Sequence, residues 1–176
     1  FPVSVGQCNG DYFVNMASGG LFATVTPEAS APLKGVIGRW SYFVTGVGKL
    51  LDREAFPLRL NGGPEEKALG FFVANARYAG GGMQIAPEAD PFSGDLDYLV
   101  VPELPTTELV ALGLALQGEK PDLRSLPVRS GSAKELRLDF SRETPINLDG
   151  EQVKTKSAVF CAHDKAFKIF VPEGIR

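Results

Sequence analysis

Residues 146–153 read Ile-Asn-Leu-Asp-Gly-Glu-Gln-Val, and this stretch decides the fold. Apolar and polar side chains alternate up to Asp149-Gly150, and Val153 continues the pattern beyond it. Asp-Gly is a preferred pair in the two-residue turn that joins antiparallel strands, because that turn needs positive φ at both central positions. The stretch therefore predicts a β-hairpin, and with it an antiparallel sheet.

Similar signals recur along the chain. Residues 134–140 alternate strictly, which predicts a strand with one face in water. Asn9-Gly10 predicts a second hairpin, between strands at 3–8 and 12–16, and Gly19-Gly20 breaks the pattern after it. The apolar run Phe71-Phe72-Val73 indicates that a strand over 70–76 is buried on both faces. Further strands are predicted at 56–60, 96–100, 158–163 and 166–171, the last two joined by a turn at His163-Asp164-Lys165.

Two helices are predicted beside these strands. Apolar residues recur every three or four positions over 33–51, and this stripe around Trp40 is either core packing or a lipid-facing groove. A shorter helix runs from a cap at Thr106 or Thr107 to Leu116, with Gly118 ending it. Strands and helices do not alternate, which argues against a parallel doubly wound sheet. The expected fold is mainly β (α+β): a single domain over 1–176, an antiparallel β-sandwich with one long packed helix and one short helix.

Composition excludes several classes of protein. The 176 residues carry a net charge of −3 and are 44% hydrophobic, which is typical of a globular domain and offers no basic surface to nucleic acid. No apolar run reaches the ~18 residues of a membrane-spanning helix. The two cysteines, Cys8 and Cys161, are expected to be buried free thiols in a reducing compartment, and the single histidine, His163, is expected to be structural.

Asp149 and Glu151 are candidates for chemistry because only Gly150 separates them. In extended geometry both carboxylates would face one side of the strand. Close carboxylates repel, which raises the pKa of one and makes it a better proton acceptor near neutrality. The alternative is that Asp149-Gly150 serves only as a hairpin turn.

Two more segments could bind ligands. Gly80, Gly81 and Gly82 permit positive φ and close approach of the backbone, although no Gly-Lys-Ser/Thr follows as in a P-loop. Their alternative is a bulge or a sharp bend. Residues 90–97, Asp-Pro-Phe-Ser-Gly-Asp-Leu-Asp, carry oxygen atoms dense enough for Mg²⁺ or Ca²⁺, and the alternative there is a solvated acidic turn.

Taken in order, these segments resemble the C-terminal domain of the soluble diacylglycerol kinase and sphingosine kinase-like lipid kinases. The resemblance covers almost the whole chain. Its most specific parts are Gly80-Gly81-Gly82-Met83-Gln84-Ile85-Ala86-Pro87 and Leu148-Asp149-Gly150-Glu151. The family joins such a β-sandwich to an N-terminal nucleotide domain whose Gly-Gly-Asp-Gly-Thr motif binds ATP. That motif is absent here and the chain opens at Phe1, so we expect a fragment of a longer protein.

The resemblance implies catalytic roles for three residues. Glu151 matches the family's proton acceptor for the lipid hydroxyl. Asp149 would orient the site or touch metal, and Lys34 matches a basic position that would face phosphate. Residues 80–82 would be the cofactor-binding glycines.

The resemblance also implies a structural Mg²⁺ loop at residues 90–95. Carbonyl oxygens at the places of Asp90 and Asp95 flank an acidic side chain in the family, and that acidic place is Ser93 here. The family often has an aspartate where this chain has Ser4. Asp90, Ser93 and Asp95 are therefore the metal-site candidates, with two departures from the family pattern.

By resemblance, the expected activity is ATP-dependent phosphorylation of a lipid hydroxyl, with diacylglycerol as the acceptor and the isolated chain inactive. Mg²⁺ is the expected cofactor and ATP the co-substrate. We expect a lipid substrate, transient contact with a membrane surface, no nucleic-acid partner, and a cytoplasmic location peripheral to the membrane; a homodimer is also considered. The alternatives are a non-catalytic lipid-binding or regulatory β-sandwich module, which Ser4 and Ser93 slightly favour, and a plain interaction sandwich.

Overall fold

The computed structural model describes residues 1–24, 54–79, 83–116 and 122–170. Within these ranges the chain forms eleven strands and one α-helix, with 3₁₀ turns at Leu21–Thr24 and Leu123–Ser125. The predicted helix over 33–51, with its Trp40 stripe, lies outside them. The elements are β1 Pro2–Cys8, β2 Asp11–Phe13, β3 Met16–Gly20, β4 Phe56–Leu60, β5 Glu65–Ala74, β6 Tyr78–Ala79, β7 Met83–Gln84, β8 Leu96–Pro102, α1 Thr106–Ala115, β9 Arg129–Ala133, β10 Glu135–Leu148 and β11 Glu151–Lys168.

Nine of these strands form one antiparallel sheet in the order β2-β1-β11-β10-β3-β5-β8-β9, and β4 pairs with both β10 and β5. The sheet curls strongly, because strands that are not neighbours in it meet across the core. β10 and β3 separate β5 from β11, yet the ring centroids of Phe71 and Phe160 lie 6.2 Å apart. Phe140 of β10 stacks on Phe71 at 5.6 Å. The predicted mainly β, sandwich-like fold is confirmed.

Strand β5 is buried on both faces, as its apolar run predicts. Phe71 and Val73 face the core that the curled sheet encloses. Phe72 faces a second core, to which α1 contributes Leu109 and Leu112. Burial of side chains of this size stabilises the folded state by roughly 1.5–3 kcal/mol each. The strand therefore joins the two cores and holds α1 against the sheet.

Strand β10 shows the predicted alternation and extends further than predicted. Leu136, Leu138 and Phe140 are buried, whereas Glu135 and Arg137, on the alternate positions, are exposed. The strand continues to Leu148, so the alternating segment and the Asp149-Gly150 hairpin belong to one continuous element.

The predicted turn at His163-Asp164-Lys165 is wrong. β11 is one strand, which pairs with β10 over its first part and with β1 over its last part. Val3 pairs with Phe167 and Val5 with His163, so Ser4 alone lies opposite three residues of β11. This is a β-bulge that contains Lys165, whose φ is +54°, and the strand continues through it without reversing direction.

Gly19 and Gly20 do not interrupt the strand pattern as predicted, because both belong to β3, whose last residue is Gly20. A Cβ atom built on Gly19 would lie 2.1 Å from Cε1 of Phe71. Glycine at this position therefore lets β3 approach the large ring on β5. The strand predicted over 12–16 is also interrupted, since β2 ends at Phe13 and β3 begins at Met16.

Helix α1 has nearly the predicted bounds but not the predicted cap. Its N-cap is Pro105, which has no side chain able to accept a hydrogen bond, rather than a threonine. Glu108 in the first turn interacts favourably with the helix dipole. Gly118, predicted to follow the helix, lies outside the described residues. No helix in the described ranges combines the length and apolar character that crossing a bilayer requires.

Candidate functional site

The Asp149-Gly150 turn joins β10 to β11 as predicted. φ is +50° at Asp149 and +114° at Gly150, positive at both central positions. The side-chain oxygen of Asn147 accepts a hydrogen bond from the Gly150 N–H at 2.8 Å. The expectation that Asp149 and Glu151 share one side of an extended strand is wrong, because this tight turn lies between them.

The Asp149 carboxylate lies against residues 14–16, which connect β2 to β3. It accepts hydrogen bonds from three successive backbone N–H groups, those of Val14 at 2.6 Å, Asn15 at 3.1 Å and Met16 at 2.8 Å. The Asp149 N–H donates in return to the carbonyl oxygen of Met16 at 3.1 Å. Hydrogen bonds to an ionised carboxylate are among the stronger ones in proteins. Asp149 therefore fastens the hairpin to the 14–16 loop.

Glu151 has a different environment. It begins β11 directly opposite Leu148, so its side chain leaves the sheet on the same face as that buried leucine. The side chain is exposed, and within the described residues no hydrogen bond or ion pair engages its carboxylate. Of the two predicted carboxylates, Glu151 is the one whose oxygens are open to a substrate proton.

Asn75 holds the opposite side of the 14–16 loop, a role that the sequence analysis missed. Its side chain is buried, and its amide nitrogen donates to the carbonyl oxygens of Ser4 at 2.9 Å and Val14 at 2.8 Å. Its backbone N–H donates to the carbonyl oxygen of Asn15 at 2.9 Å. The signal available in the sequence was a polar residue directly after the apolar run 68–74, since buried polar groups need partners.

Asn15 links the same loop to β6, the strand that precedes the triple glycine in the sequence. Its amide nitrogen donates to the carbonyl oxygen of Tyr78 at 3.2 Å. Tyr78 pairs with Gln84 and Ala79 with Met83, so β6 and β7 are antiparallel. Residues 80–82 themselves and Lys34 lie outside the described ranges, and their roles stay predictions.

The predicted metal loop is closed by its own hydrogen bonds. The carbonyl oxygen of Asp90 accepts from the Ser93 N–H at 2.9 Å and from the Ser93 hydroxyl at 2.8 Å. The Ser93 hydroxyl oxygen accepts from the Asp95 N–H at 3.1 Å. The Asp90 carbonyl oxygen, which the resemblance assigns to Mg²⁺, thus accepts hydrogen bonds from Ser93, the neutral residue that stands where the family has an acidic one.

Ser4 and Ser93, the two departures from the family pattern, meet at one junction. The Ser4 N–H donates to the carbonyl oxygen of Pro91 at 2.7 Å, and the buried Ser4 hydroxyl has no hydrogen-bond partner among the described residues. Divalent cations of this kind require carboxylate or carbonyl oxygens. The described ranges hold no group of three His, Cys, Asp or Glu side chains able to bind a metal. These residues do not fit the Mg²⁺ site that the resemblance implies, and that site stays an untested prediction.

Asp97 follows this loop and pairs with Ser132 between β8 and β9. Burial raises the pKa of the Asp97 carboxyl above its usual value of 3.8. A hydrogen bond with Ser132 lowers the pKa, and the charges of Glu88 and Asp95 raise it further. Asp97 thus belongs to the sheet rather than to the loop.

Cys8 is a buried free thiol as predicted, whereas Cys161 is only partly buried, so the prediction of two buried thiols is wrong for Cys161. Cys8 and Cys161 are both free thiols, and burial raises the pKa of Cys8 to about 12. A ring nitrogen of His163, Nε2, lies 2.9 Å from the side-chain oxygen of Gln7, and the ring meets the edge of Tyr12 with centroids 5.6 Å apart. These contacts tie β11 to β1 and β2.

The curled antiparallel sheet with α1 packed on it is a β-sandwich-like domain. The acidic Asp149-Gly150 turn lies at the end of one of its hairpins. A family model described as the YegS C-terminal NAD kinase beta sandwich-like domain matches residues 16–171. The chain therefore belongs to this family.

Known relatives agree with this assignment. The chain is 32% identical over 177 residues to a Pseudomonas aeruginosa protein named "Probable lipid kinase YegS-like", a match covering 98% of this chain and 57% of that protein. A Stenotrophomonas maltophilia protein of the same name is 39% identical over 149 residues, 81% of this chain and 47% of that protein. A crystal structure described as a diacylglycerol kinase from Bacillus anthracis has a TM-score of 0.70 at 25% identity, over 95% of this chain and 55% of that one. The chain thus spans about half the length of the relatives it matches.

Proposed function

We propose that this chain forms the part of a lipid kinase that carries the proton acceptor for transfer of the γ-phosphoryl group of ATP to a lipid hydroxyl, with diacylglycerol as the acceptor. One observation carries the proposal. The Asp149 carboxylate accepts hydrogen bonds from backbone N–H groups, whereas the Glu151 carboxylate is exposed and, in the described ranges, has no hydrogen-bond or ion-pair partner. The names of the relatives, a probable lipid kinase and a diacylglycerol kinase, support this class of reaction.

In the proposed reaction the lipid hydroxyl oxygen forms a bond to the γ-phosphorus, and the bond from that phosphorus to the β,γ-bridging oxygen breaks to release ADP. The hydroxyl proton passes to the carboxylate of Glu151. Positioning and charge neutralisation dominate phosphoryl transfer because its transition state is loose. A positioned base contributes about 10²–10⁴-fold.

The other partners follow from the family resemblance. An N-terminal domain would bind most of the nucleotide together with its Mg²⁺, and Lys34 and residues 80–82 are proposed to face the phosphates. This division of labour is why we expect the chain alone to transfer no phosphate. No step of the proposal passes through a metal bound at residues 90–95.

Two exposed apolar side chains support contact with lipid. Val14, in the hydrogen-bonded 14–16 loop, is 54% exposed, and Tyr78, whose carbonyl oxygen accepts a hydrogen bond from that loop, is 53% exposed. Tyrosine suits a boundary between water and hydrocarbon because its ring is apolar and its hydroxyl polar. We therefore propose that this end of the domain faces the bilayer from the cytoplasmic side, where Glu151 would meet the lipid hydroxyl.

The test is to join this chain to the N-terminal part of the Pseudomonas aeruginosa relative and to measure transfer of labelled phosphate from ATP to diacylglycerol in vesicles. The intact relative is assayed in parallel. Glu151→Gln should lower the rate by about 10²–10⁴-fold, because an amide cannot accept the proton. Glu143→Gln, at an exposed position of β10, is the matched control and should be neutral. Equal rates for Glu151→Gln and the parent protein would remove Glu151 as the proton acceptor.

A non-catalytic lipid-binding module is the second candidate function, and the neutral residues Ser4 and Ser93 favour it. It predicts binding of the joined protein to diacylglycerol vesicles without phosphate transfer. Activity in the intact relative together with no activity in the joined protein, despite vesicle binding, would support this alternative.

A further inference from the structure

The Asp149 carboxylate has little capacity left for a substrate or a metal. Oδ2 accepts from Val14 and Oδ1 from Met16, while the Asn15 N–H lies 3.2 Å from Oδ1 and 3.1 Å from Oδ2. A carboxylate offers about four lone-pair sites, and these bonds use most of them. The φ of +50° at Asp149 is a conformation that L-residues adopt rarely, so the turn holds the carboxylate in one direction.

The carbonyl groups of the same loop are bound from the other side. The Asn75 side chain donates to the carbonyl of Val14, and the backbone N–H groups of Asn75 and Ala76 donate to the carbonyl of Asn15 at 2.9 Å and 3.1 Å. Asn75 is 1% exposed, so water cannot easily replace it. The N–H groups of the loop thus donate to the hairpin turn, and the carbonyl groups of Val14 and Asn15 accept from the two residues that follow β5.

The position of the loop also determines where it contacts β6. The Asn15 side chain donates to the carbonyl of Tyr78, the first residue of β6. Asn15 therefore donates hydrogen bonds to both Asp149 and Tyr78. Glu151 follows Asp149 by two residues, so any movement of the turn away from the loop moves Glu151 relative to β6 and β7.

We propose that Asp149 is a positioning residue and that Asn75 is its counterpart: the two clamp the 14–16 loop from opposite sides and set the position of Glu151 relative to β6 and β7. The inference rests on the proposed function, in which Glu151 accepts the proton. It assigns Asp149 no direct contact with the lipid, the nucleotide or a metal.

The clamp is tested in the chain as it stands, by amide hydrogen exchange followed by NMR. In Asp149→Asn, the amides of Val14, Asn15 and Met16 should exchange about tenfold faster or more, because the charge-assisted acceptor is gone. The core amides of Phe71 and Val73 should keep their protection, which shows that the variant is folded. Asp11→Asn, at an exposed aspartate next to the other hairpin turn, is the matched control and should leave all five amides unchanged. Unchanged exchange at residues 14–16 in Asp149→Asn would overturn the clamp.

The positioning role is tested in the joined protein described above. Asp149→Asn and Asn75→Ala should each lower kcat about 10–100-fold, because small misplacements of reacting groups are costly. KM for ATP and the pH profile of kcat should not move, since Glu151 still accepts the proton. The double variant should be little slower than either single variant, because both remove the same placement. Loss of the acidic limb of the pH profile in Asp149→Asn would instead make Asp149 the base and overturn the inference.

The two experiments fail separately. If the joined parent protein is inactive while the intact relative is active, the proposed function fails, and the exchange experiment still decides whether the clamp exists. If the parent protein is active and the kcat losses of the two single variants multiply in the double variant, the proposed function stands and the clamp does not couple Asp149 to Asn75.

Discussion

The hydroxyl of Ser93 donates a 2.8 Å hydrogen bond to the carbonyl oxygen of Asp90, three residues earlier in the same loop. The same hydroxyl accepts from the N–H of Asp95 at 3.1 Å. One neutral side chain thus holds together the loop for which the family resemblance implies a divalent cation.

Ser93→Ala should lower the free energy of unfolding by about 0.5–1.5 kcal/mol, because it removes side-chain hydrogen bonds at a partly solvated loop. Thermal or urea unfolding measures the change. Ser141→Ala, at an exposed serine of β10, is the control and should have little effect. An equal loss in both variants would mean that the Ser93 bonds do not hold the loop.

The melting temperature of the parent chain should be the same in EDTA and in excess Mg²⁺. A ligand raises stability only by binding the folded state, and the loop has Ser93 in place of the acidic side chain that would bind the cation in the family pattern. The double variant Ser4→Asp, Ser93→Asp restores both acidic places of the family pattern and should gain a melting temperature that rises with Mg²⁺. A saturable rise in the parent chain would instead establish the metal site that the resemblance implies.

Asp97→Asn should raise the melting temperature at neutral pH. Since burial raises the pKa of Asp97 in the folded state, the folded protein binds the proton more tightly than the unfolded chain does. Stability is therefore lost as pH rises from the usual pKa through the raised one, and it stays reduced above it. Asparagine carries no charge, so its advantage should disappear as the pH falls below the usual value of 3.8. A gain that persists unchanged at acid pH would contradict this cause.

Gly19→Ala should destabilise the protein by about 1–3 kcal/mol through overpacking, since its Cβ would lie 2.1 Å from Cε1 of Phe71. In a double-mutant cycle with Phe71→Leu, the smaller side chain should relieve part of that clash. Chemical denaturation of the four proteins measures the coupling. Strictly additive effects would show that the Phe71 ring is not what excludes a side chain at position 19.

Alkylation should distinguish the two thiols. Cys8 is 1% exposed and burial raises its pKa to about 12, so almost no reactive thiolate forms in the folded state. Cys161 is partly exposed, and although burial and Glu135 raise its pKa, reagent can reach it. Peptide mass spectrometry after brief treatment with iodoacetamide should find label on Cys161 well before Cys8. In urea the two should react alike, and equal labelling in the native protein would contradict the burial of Cys8.

The elements that could be predicted are those whose signals are local. Asn9-Gly10 and Asp149-Gly150 form hairpins because turn type depends on two residues and their immediate flanks. Phe71-Phe72-Val73 lies in a strand buried on both faces because a run of large apolar residues has no other stable place. The acidic turn could be proposed as a site for the same reason, since both carboxylates stand within three residues.

The elements that could not be predicted depend on a distant partner. Lys165 has the positive φ typical of a turn, but β1 pairs on both sides of it and makes the segment a bulge. Gly19 looks like a strand breaker, but Phe71 requires a residue without a side chain there. Asn75 carries no local signal for its role, because the carbonyl groups that it binds belong to β1 and to the 14–16 loop.

By itself, the sequence determined the antiparallel β class, the turns, the doubly buried strand and the family resemblance, because each is encoded in contiguous residues. The different environments of the two carboxylates, Asp149 bound by backbone N–H groups and Glu151 exposed, follow from the tertiary structure alone. The N–H groups that bind Asp149 stand 133 to 135 residues earlier in the chain. Strand pairing across the curled sheet brings them to one carboxylate and not to the other, and no local pattern of residues records that choice.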